Sequence, residues 1–254
     1  MVGLFGVCFA GSASVVAAQD AVELETSASF NTTYVFRGSS QYSDKEIPSL
    51  QLDVNGDYSM NVVTSVWSTL SLITALNERE TNAELGVSEE LIVGAGVSFD
   101  VQSNKKIRVG ALGFFRPEAT PVDVRKEVML GLEWLVRDDK DWRIEPYAEV
   151  YGEVHRGPGA YGEVGLHCAR KLNHGFLLAF GGYGGGSQYT SQNDSFRALA
   201  GGKLSLTYQV DKVLEVSGHF NGSLSNDTAK FSTDFLEKYG TFWSGLTVRY
   251  RPEL

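Results

Sequence analysis

From Asp141 to His155 the chain alternates strictly between two kinds of residue. Trp142, Ile144, Pro146, Ala148, Val150, Gly152 and Val154 carry no charge, while Asp141, Arg143, Glu145, Tyr147, Glu149, Tyr151, Glu153 and His155 form the polar partner set. Successive strand residues point to opposite faces, so such a run makes a ribbon with one greasy and one wet side. The same phase runs from Ser195 to Val210, broken only by Leu199, and from Ala83 to Val101, broken only by Glu89. Soluble strands centre on about 5–6 residues, and these runs are far longer. No stretch of about 18 apolar residues follows the first two dozen positions, which removes helices as a way through a bilayer. A closed barrel is the other structure that satisfies every backbone group in lipid. The expected fold is therefore all-β, an antiparallel up-and-down transmembrane β-barrel.

Twelve strands are expected, near residues 27–37, 46–58, 60–72, 82–101, 105–116, 122–137, 141–155, 160–170, 175–184, 195–210, 212–225 and 241–250. Links after the even-numbered strands two to ten are short. Those after strands one, three, nine and eleven are long, and those after five and seven are intermediate. Short turns at one end and longer loops at the other are the habit of outer-membrane barrels, and an even count returns both termini to the periplasm. Phe36, Tyr58, Phe99, Trp134, Trp142, Phe196, Tyr208, Phe242 and Tyr250 lie toward strand ends on the apolar phase, where interfacial girdles belong. The competing fold is a secreted β-sandwich, whose apolar faces would point inward. Strand length and the placing of the aromatics favour the barrel.

Residues 1–18 read as a secretory signal, apolar and small from Val2 to Ala18, with Val16, Ala17 and Ala18 before Gln19. Residues 19–254 are then the barrel. Cleavage there leaves Cys168 as the single cysteine, so no intramolecular disulfide is expected. Cys168 shares its parity with Val164 and Leu166, which places it toward lipid. The formal charge of −9 makes nucleic acid an improbable partner, since such proteins need a basic face. No cysteine pair of zinc type, glycine-rich phosphate loop or metalloprotease His-Glu motif occurs, so neither cofactor nor metal is expected.

At the first strand the chain reads Tyr34, Val35, Phe36, Arg37, Gly38, Ser39, Ser40, Gln41, followed by Pro48 and the alternating Leu50 to Tyr58. This resembles the Tyr-x-Phe-Arg-Gly-x-Ser-Gln signature of the TorF-type porin family of bacteria. The resemblance covers about 40 residues through the motif and continues as spacing and alternation over most of the chain. It implies an exported outer-membrane barrel with a pore role and no established substrate. On this reading Tyr34 and Phe36 face lipid, Arg37 points into the lumen, and Gly38 lets the chain leave the strand. Ser40 and Gln41 complete the motif. Barrels of this kind end on an aromatic residue that the barrel-assembly machinery reads, whereas here Tyr250 is followed by Arg251, Pro252, Glu253 and Leu254.

The inward phase supplies Glu84, Glu127, Glu133, Glu145, Glu149, Glu153, Glu163 and Glu215 beside Arg37, Arg108, Arg125, Arg143, Arg197, Lys203 and Arg249. Charged rows can select ions by sign in a pore. They can also close a barrel as cross-strand ion pairs. The expected function is a channel for passive diffusion of small polar solutes or ions, in contact with outer-membrane lipid. Its pore lining is Arg37, Arg143, Glu145, Tyr147, Glu149, Tyr151, Glu153, Lys203 and Glu215, and the acidic row Glu145, Glu149, Glu153 predicts a weak preference for cations. Two alternatives are a closed structural or adhesive barrel acting through its loops and an outer-membrane hydrolase. The second lacks a nucleophile motif, and its histidine candidates His155, His167 and His219 are isolated in sequence. No catalytic residue is expected.

Overall fold

A computed structural model describes residues 22–32, 35–36, 39–40, 48–61, 63–78, 85–116, 123–154, 159–189, 197–225 and 240–252. The strands are β1 (Val22–Asn31), β2 (Val35–Phe36), β3 (Ser39–Ser40), β4 (Ser49–Asn61), β5 (Thr64–Glu78), β6 (Leu85–Gln102), β7 (Lys105–Arg116) and β8 (Asp123–Trp134). They continue as β9 (Arg137–Asp138), β10 (Trp142–Glu153), β11 (Gly159–Lys171), β12 (Phe176–Tyr189), β13 (Arg197–Gln209), β14 (Leu214–Ser225) and β15 (Gly240–Tyr250). Each long strand pairs antiparallel with the next. The ladder closes where β1 meets β15, with Thr26 opposite Tyr250 and Asn31 opposite Gly245. The result is a closed barrel of twelve strands; β9 is a short addition beside β10, and β2 pairs only with β3.

Among the described residues the tight connections lie at one end: Asn61 to Thr64, Gln102 to Lys105, Lys171 to Phe176 and Gln209 to Leu214, with β9 folded into the link from Trp134 to Trp142. Their sequences explain them. His174 and Gly175 both adopt positive φ, as a tight hairpin turn demands. Asp211 Oδ1 accepts from the N–H groups of Val213 and Leu214 at 2.8 and 2.7 Å. Asp139 Oδ1 does the same for Asp141 and Trp142 at 2.9 and 2.8 Å. In each case a short carboxylate replaces a backbone acceptor and pins the turn.

Asp139 also accepts from Arg137 at 2.5 Å. The Trp142 and Asp141 amides, and then Arg137, hold its carboxyl down at about 2. A depressed folded pKa contributes hold that is complete above the ordinary carboxylate value and lost as pH falls through the folded one. A side-chain carbonyl NMR titration of Asp139 should therefore show its midpoint near 2. Protection of the Trp142 amide should fall only below that pH, and Asp139→Ala should lose it at every pH. A midpoint at the ordinary value would refute the pinned turn.

Observed strands differ from the expected spans most at the first. β1 starts at Val22 and ends at Asn31, and the described part of the motif segment, Val35–Phe36 and Ser39–Ser40, pairs with itself. The ladder with β4 ends at Asn31 because β4 begins opposite it at Ser49, while on the other side Thr32 still donates to the Ser244 carbonyl at 2.9 Å. Alternation alone ran on through Phe36 because the period persists whether or not a neighbour exists. Tyr34, Arg37, Gly38 and Gln41 lie outside the described residues, as do residues 1–21, including the signal segment. β12 runs to Tyr189, well past the expected end at 184. Its run of glycines has low strand propensity, but β11 and β13 both pair with it throughout.

Apolar residues cover the outside. Leu50, Leu52, Val54, Val93, Val109, Leu130, Val150, Leu204 and Val248 are exposed outward, although they are chemically core residues. Such a belt is stable only against lipid. At the turn end it meets a girdle of Tyr58, Phe99, Trp134, Tyr208 and Tyr250, all outward and exposed. Phe36 and Phe196 fall outside the described side chains. Cys168 has the outward parity expected but is only 8% exposed. Trp142 on β10 and Phe180 on β12 meet edge to face at 6.2 Å, across the strand that carries it.

Candidate functional site

The inward side chains divide the lumen into three levels. At the turn end, Arg249 reaches Glu25 at 3.2 Å and Glu215 at 3.1 Å, and Arg251 reaches the same two carboxylates at 2.8 Å each. These pairs bridge β14, β15 and β1, which is the closing seam. Arg251, which in sequence was a departure from an aromatic terminus, thus ties the last strand to the first. Arg143 pairs with Glu145 at 3.3 Å, and Arg108 with Glu133 at 3.3 Å while lying over the Trp67 ring at 4.9 Å.

Above this level lies a wall of tyrosines and carboxylates on β10 and β11. Tyr147 donates to Glu163 Oε1 at 2.5 Å and Tyr161 to Glu163 Oε2, while Tyr151 donates to Glu149 Oε2 at 2.7 Å. Each hydroxyl holds a carboxylate against the wall. Tyr147 also stacks on His167, ring centres 4.6 Å apart. A cavity of about 890 Å³ begins at the turn end and reaches this wall, lined among others by Glu25, Arg108, Glu145, Tyr147, Glu149 and Glu215. Its far end is bounded by Leu112, Met129 and Tyr151.

The third level, nearer the loop ends, was not expected. Ile73, Ile92, Leu112, Phe114, Met129, Tyr151, Tyr161 and Leu199 pack together inside the barrel. Ile92, at 0% exposure, is as buried as any residue in a soluble core. The cluster spans strands from β5 to β13. Arg125 caps part of it, lying over the Phe114 ring at 4.3 Å and pairing with Glu127 at 3.3 Å. The hint in the sequence was Leu199, the one apolar residue out of phase in its run. Ile73, Ile92, Leu112 and Phe114 carry the same signal once the true register is known.

Of the residues expected to line a pore, Arg143, Glu145, Tyr147, Glu149, Tyr151 and Glu215 border the cavity. Glu153 and Lys203 share their inward parity. Arg37 lies outside the described residues. His167 and His219 are engaged, the first by Tyr147 and the second by Asn31 at 2.9 Å. Among the described residues no group of three or more His, Cys, Asp and Glu could hold a metal ion.

No protein-family model and no curated protein matches the chain. Solved structures do. An outer membrane channel from Pseudomonas putida F1 superposes with a TM-score of 0.60 at 10% identity, over 95% of this chain and 99% of that one. The fold is that of bacterial outer-membrane β-barrels. The NanC porin matches at 0.52 and 11% identity, over 91% of this chain and all of that one. The KdgM porin matches at 0.52 and 9% identity, over 90% and 99%. At such identities the likeness concerns the path of the chain, and what moves through this barrel must be argued from its own lumen.

Proposed function

We propose that the protein is an outer-membrane channel for passive diffusion of small polar solutes and ions, with a weak preference for cations. On this reading residues 1–18 direct export and are removed, the barrel-assembly machinery inserts the mature chain, and the tight turns face the periplasm. The observation that carries the reading is the polar, charged vestibule of about 890 Å³ on the barrel axis. A barrel built only as an anchor would gain nothing from keeping such a space. Among the residues lining that space Asp and Glu outnumber Lys and Arg, and Arg143 and Arg251 already pair with acids. The uncompensated sign is negative. Selectivity stays weak because a Debye length of about 8 Å at physiological salt screens charge across a wider lumen.

In planar bilayers under a salt gradient the reversal potential should indicate cation preference. Glu149→Gln with Glu153→Gln should move it toward anions, most at low salt, in a barrel that remains folded. Anion preference in the parent would mean that the lumenal arginines dominate. A closed barrel is the second reading, favoured by the buried cluster from Ile73 to Leu199. Absence of current from folded protein would decide for it.

A further inference from the structure

Around the turn end of the barrel the outward positions of the long strands carry Tyr58, Phe99, Phe176, Tyr208 and Tyr250, and among the described residues none of these outward turn-half positions is an Asp or a Glu. Two charges do stand there, and both are basic. Lys105 on β7 shares the parity of Ile107 and Val109, and Arg170 on β11 shares that of Leu166 and Cys168.

Each cation lies over an indole. Lys105 is opposite Trp134 in register, with Nζ 5.3 Å from the ring centre, and Arg170 is opposite Trp142, with its guanidinium carbon 5.3 Å from that ring. The Trp142 ring is held in turn by its edge-to-face contact with Phe180. Lys105 stands at the rim of the vestibule, yet its ammonium turns outward over Trp134. Around the barrel the order is Lys105, Trp134, Trp142, Arg170 on β7, β8, β10 and β11, so two cations bracket two rings across three strand spacings, about 14 Å. Arg137, between them on β9, is committed to Asp139. Neither Lys105 nor Arg170 forms an ion pair among the described residues.

We propose that this sector of the outer wall binds the phosphodiester headgroup of an anionic phospholipid, with the acyl chains lying along the exposed Leu130, Leu132, Val150 and Leu166. Indoles settle at the level of the headgroups, and long basic side chains carry their charge to the same level. A cation held over an aromatic face keeps its attraction for a further anion. The choice between lipids is one of charge: a zwitterionic lipid brings its own ammonium beside its phosphate, whereas a net anion supplies the partner that Lys105 and Arg170 lack. Assignment to the periplasmic leaflet rests on the orientation proposed above, with the tight turns in the periplasm; the binding itself does not depend on passage of solute.

The test is native mass spectrometry of the purified full-length protein, released from detergent micelles doped with equal amounts of phosphatidylglycerol and phosphatidylethanolamine of identical chains. Phosphatidylglycerol adducts should predominate. Lys105→Gln and Arg170→Gln should each lower that preference about fivefold, since each basic residue near a surface adds about that much to the attraction for anionic lipid, and the double variant should remove it. Lys105→Arg should retain it, and Lys126→Gln, at the opposite rim, should leave it unchanged. Folding is checked by heat-modifiable gel migration; if the double variant does not fold, the single variants carry the test. Equal adducts of the two lipids on the parent, or an undiminished preference in the folded variants, would overturn the site. In a second mixture, a preference for lipid A over phosphatidylglycerol that disappears with Lys105 and Arg170 would overturn the phospholipid assignment and reverse the orientation. Absence of bilayer current with the phosphatidylglycerol preference intact would sink the channel reading and leave the lipid site standing.

Discussion

Gly110→Val should abolish the folded, heat-modifiable form of the barrel, and Gly96→Val should do the same. Trp67 on β5 is opposite Gly96 on β6, which is opposite Gly110 on β7. The indole lies flat across both strands because neither neighbour has a side chain. A Cβ at Gly110 would sit 2.2 Å from Trp67 Cζ2, and one at Gly96 would sit 2.1 Å from the Val109 carbonyl oxygen and 2.6 Å from the same ring. The first clash requires driving the indole into the vestibule and off the Arg108 guanidinium, and leaves a 2.7 Å approach to the Ala95 carbonyl oxygen; the second is chiefly with backbone, which has no flexible partner to yield. Overpacking a fitted site costs about 1–3 kcal/mol, occasionally more, and here it falls on a continuous sheet whose register fixes every later hairpin. Ala at either position should already lower thermal stability. Trp67→Ala should fold, since it removes the obstacle, and should rescue Gly110→Val in part. A folded Gly110→Val barrel with unchanged melting would show that the indole does not lie where the glycines place it.

Leu199→Ser should raise single-channel conductance severalfold, and more than Leu199→Ala. The apolar cluster sits where a solute leaving the vestibule must pass, and hydrophobic constrictions gate by dewetting as well as by width. Alanine and serine vacate nearly the same volume. They differ in the hydroxyl, which can hold water in the gap. If width alone limits flow, the two variants will conduct alike; if wetting limits it, serine wins. Leu112→Ala, at the boundary between vestibule and cluster, should give a smaller rise. The stability cost of removing a buried leucine is about 2–5 kcal/mol, so folding must be verified for each variant. Conductance unchanged by all three would remove the cluster from the path.

The two predictions concern opposite uses of inward aromatic and apolar residues. Trp67 over Gly96 and Gly110, Tyr147 over Gly165 and Tyr183 over Gly201 lie along the wall and thicken it. Ile92, Phe114 and Leu199 belong to the buried cluster that narrows the space, which Trp67 joins and Tyr183 packs against. A barrel with only the first kind would be a wider tube. One with only the second would be a soluble core turned inside the membrane.

Much of this was legible in the residues alone. A period of two assigns each side chain to a face without knowledge of any neighbour, so the inward position of Arg143, Glu145, Glu149, Glu153, Lys203 and Glu215 followed from parity. The outward place of Leu50, Val150 and Leu204 followed from the same rule. Turns with Asp139, Asp211 and the His174–Gly175 pair are equally local, since a short carboxylate or a positive φ acts within a few residues. What parity cannot supply is the stagger between strands. Arg251 meets Glu25 and Glu215, His219 meets Asn31 over Gly245, and Trp67 lies on Gly96 and Gly110, each pairing fixed by the register of strands far apart in the chain. The first strand's end at Asn31 was hidden for the same reason, because its ladder with β4 stops where β4 begins, at Ser49, and alternation does not. Closing the sheet set that register, and with it decided which polar groups pair and where the lumen narrows.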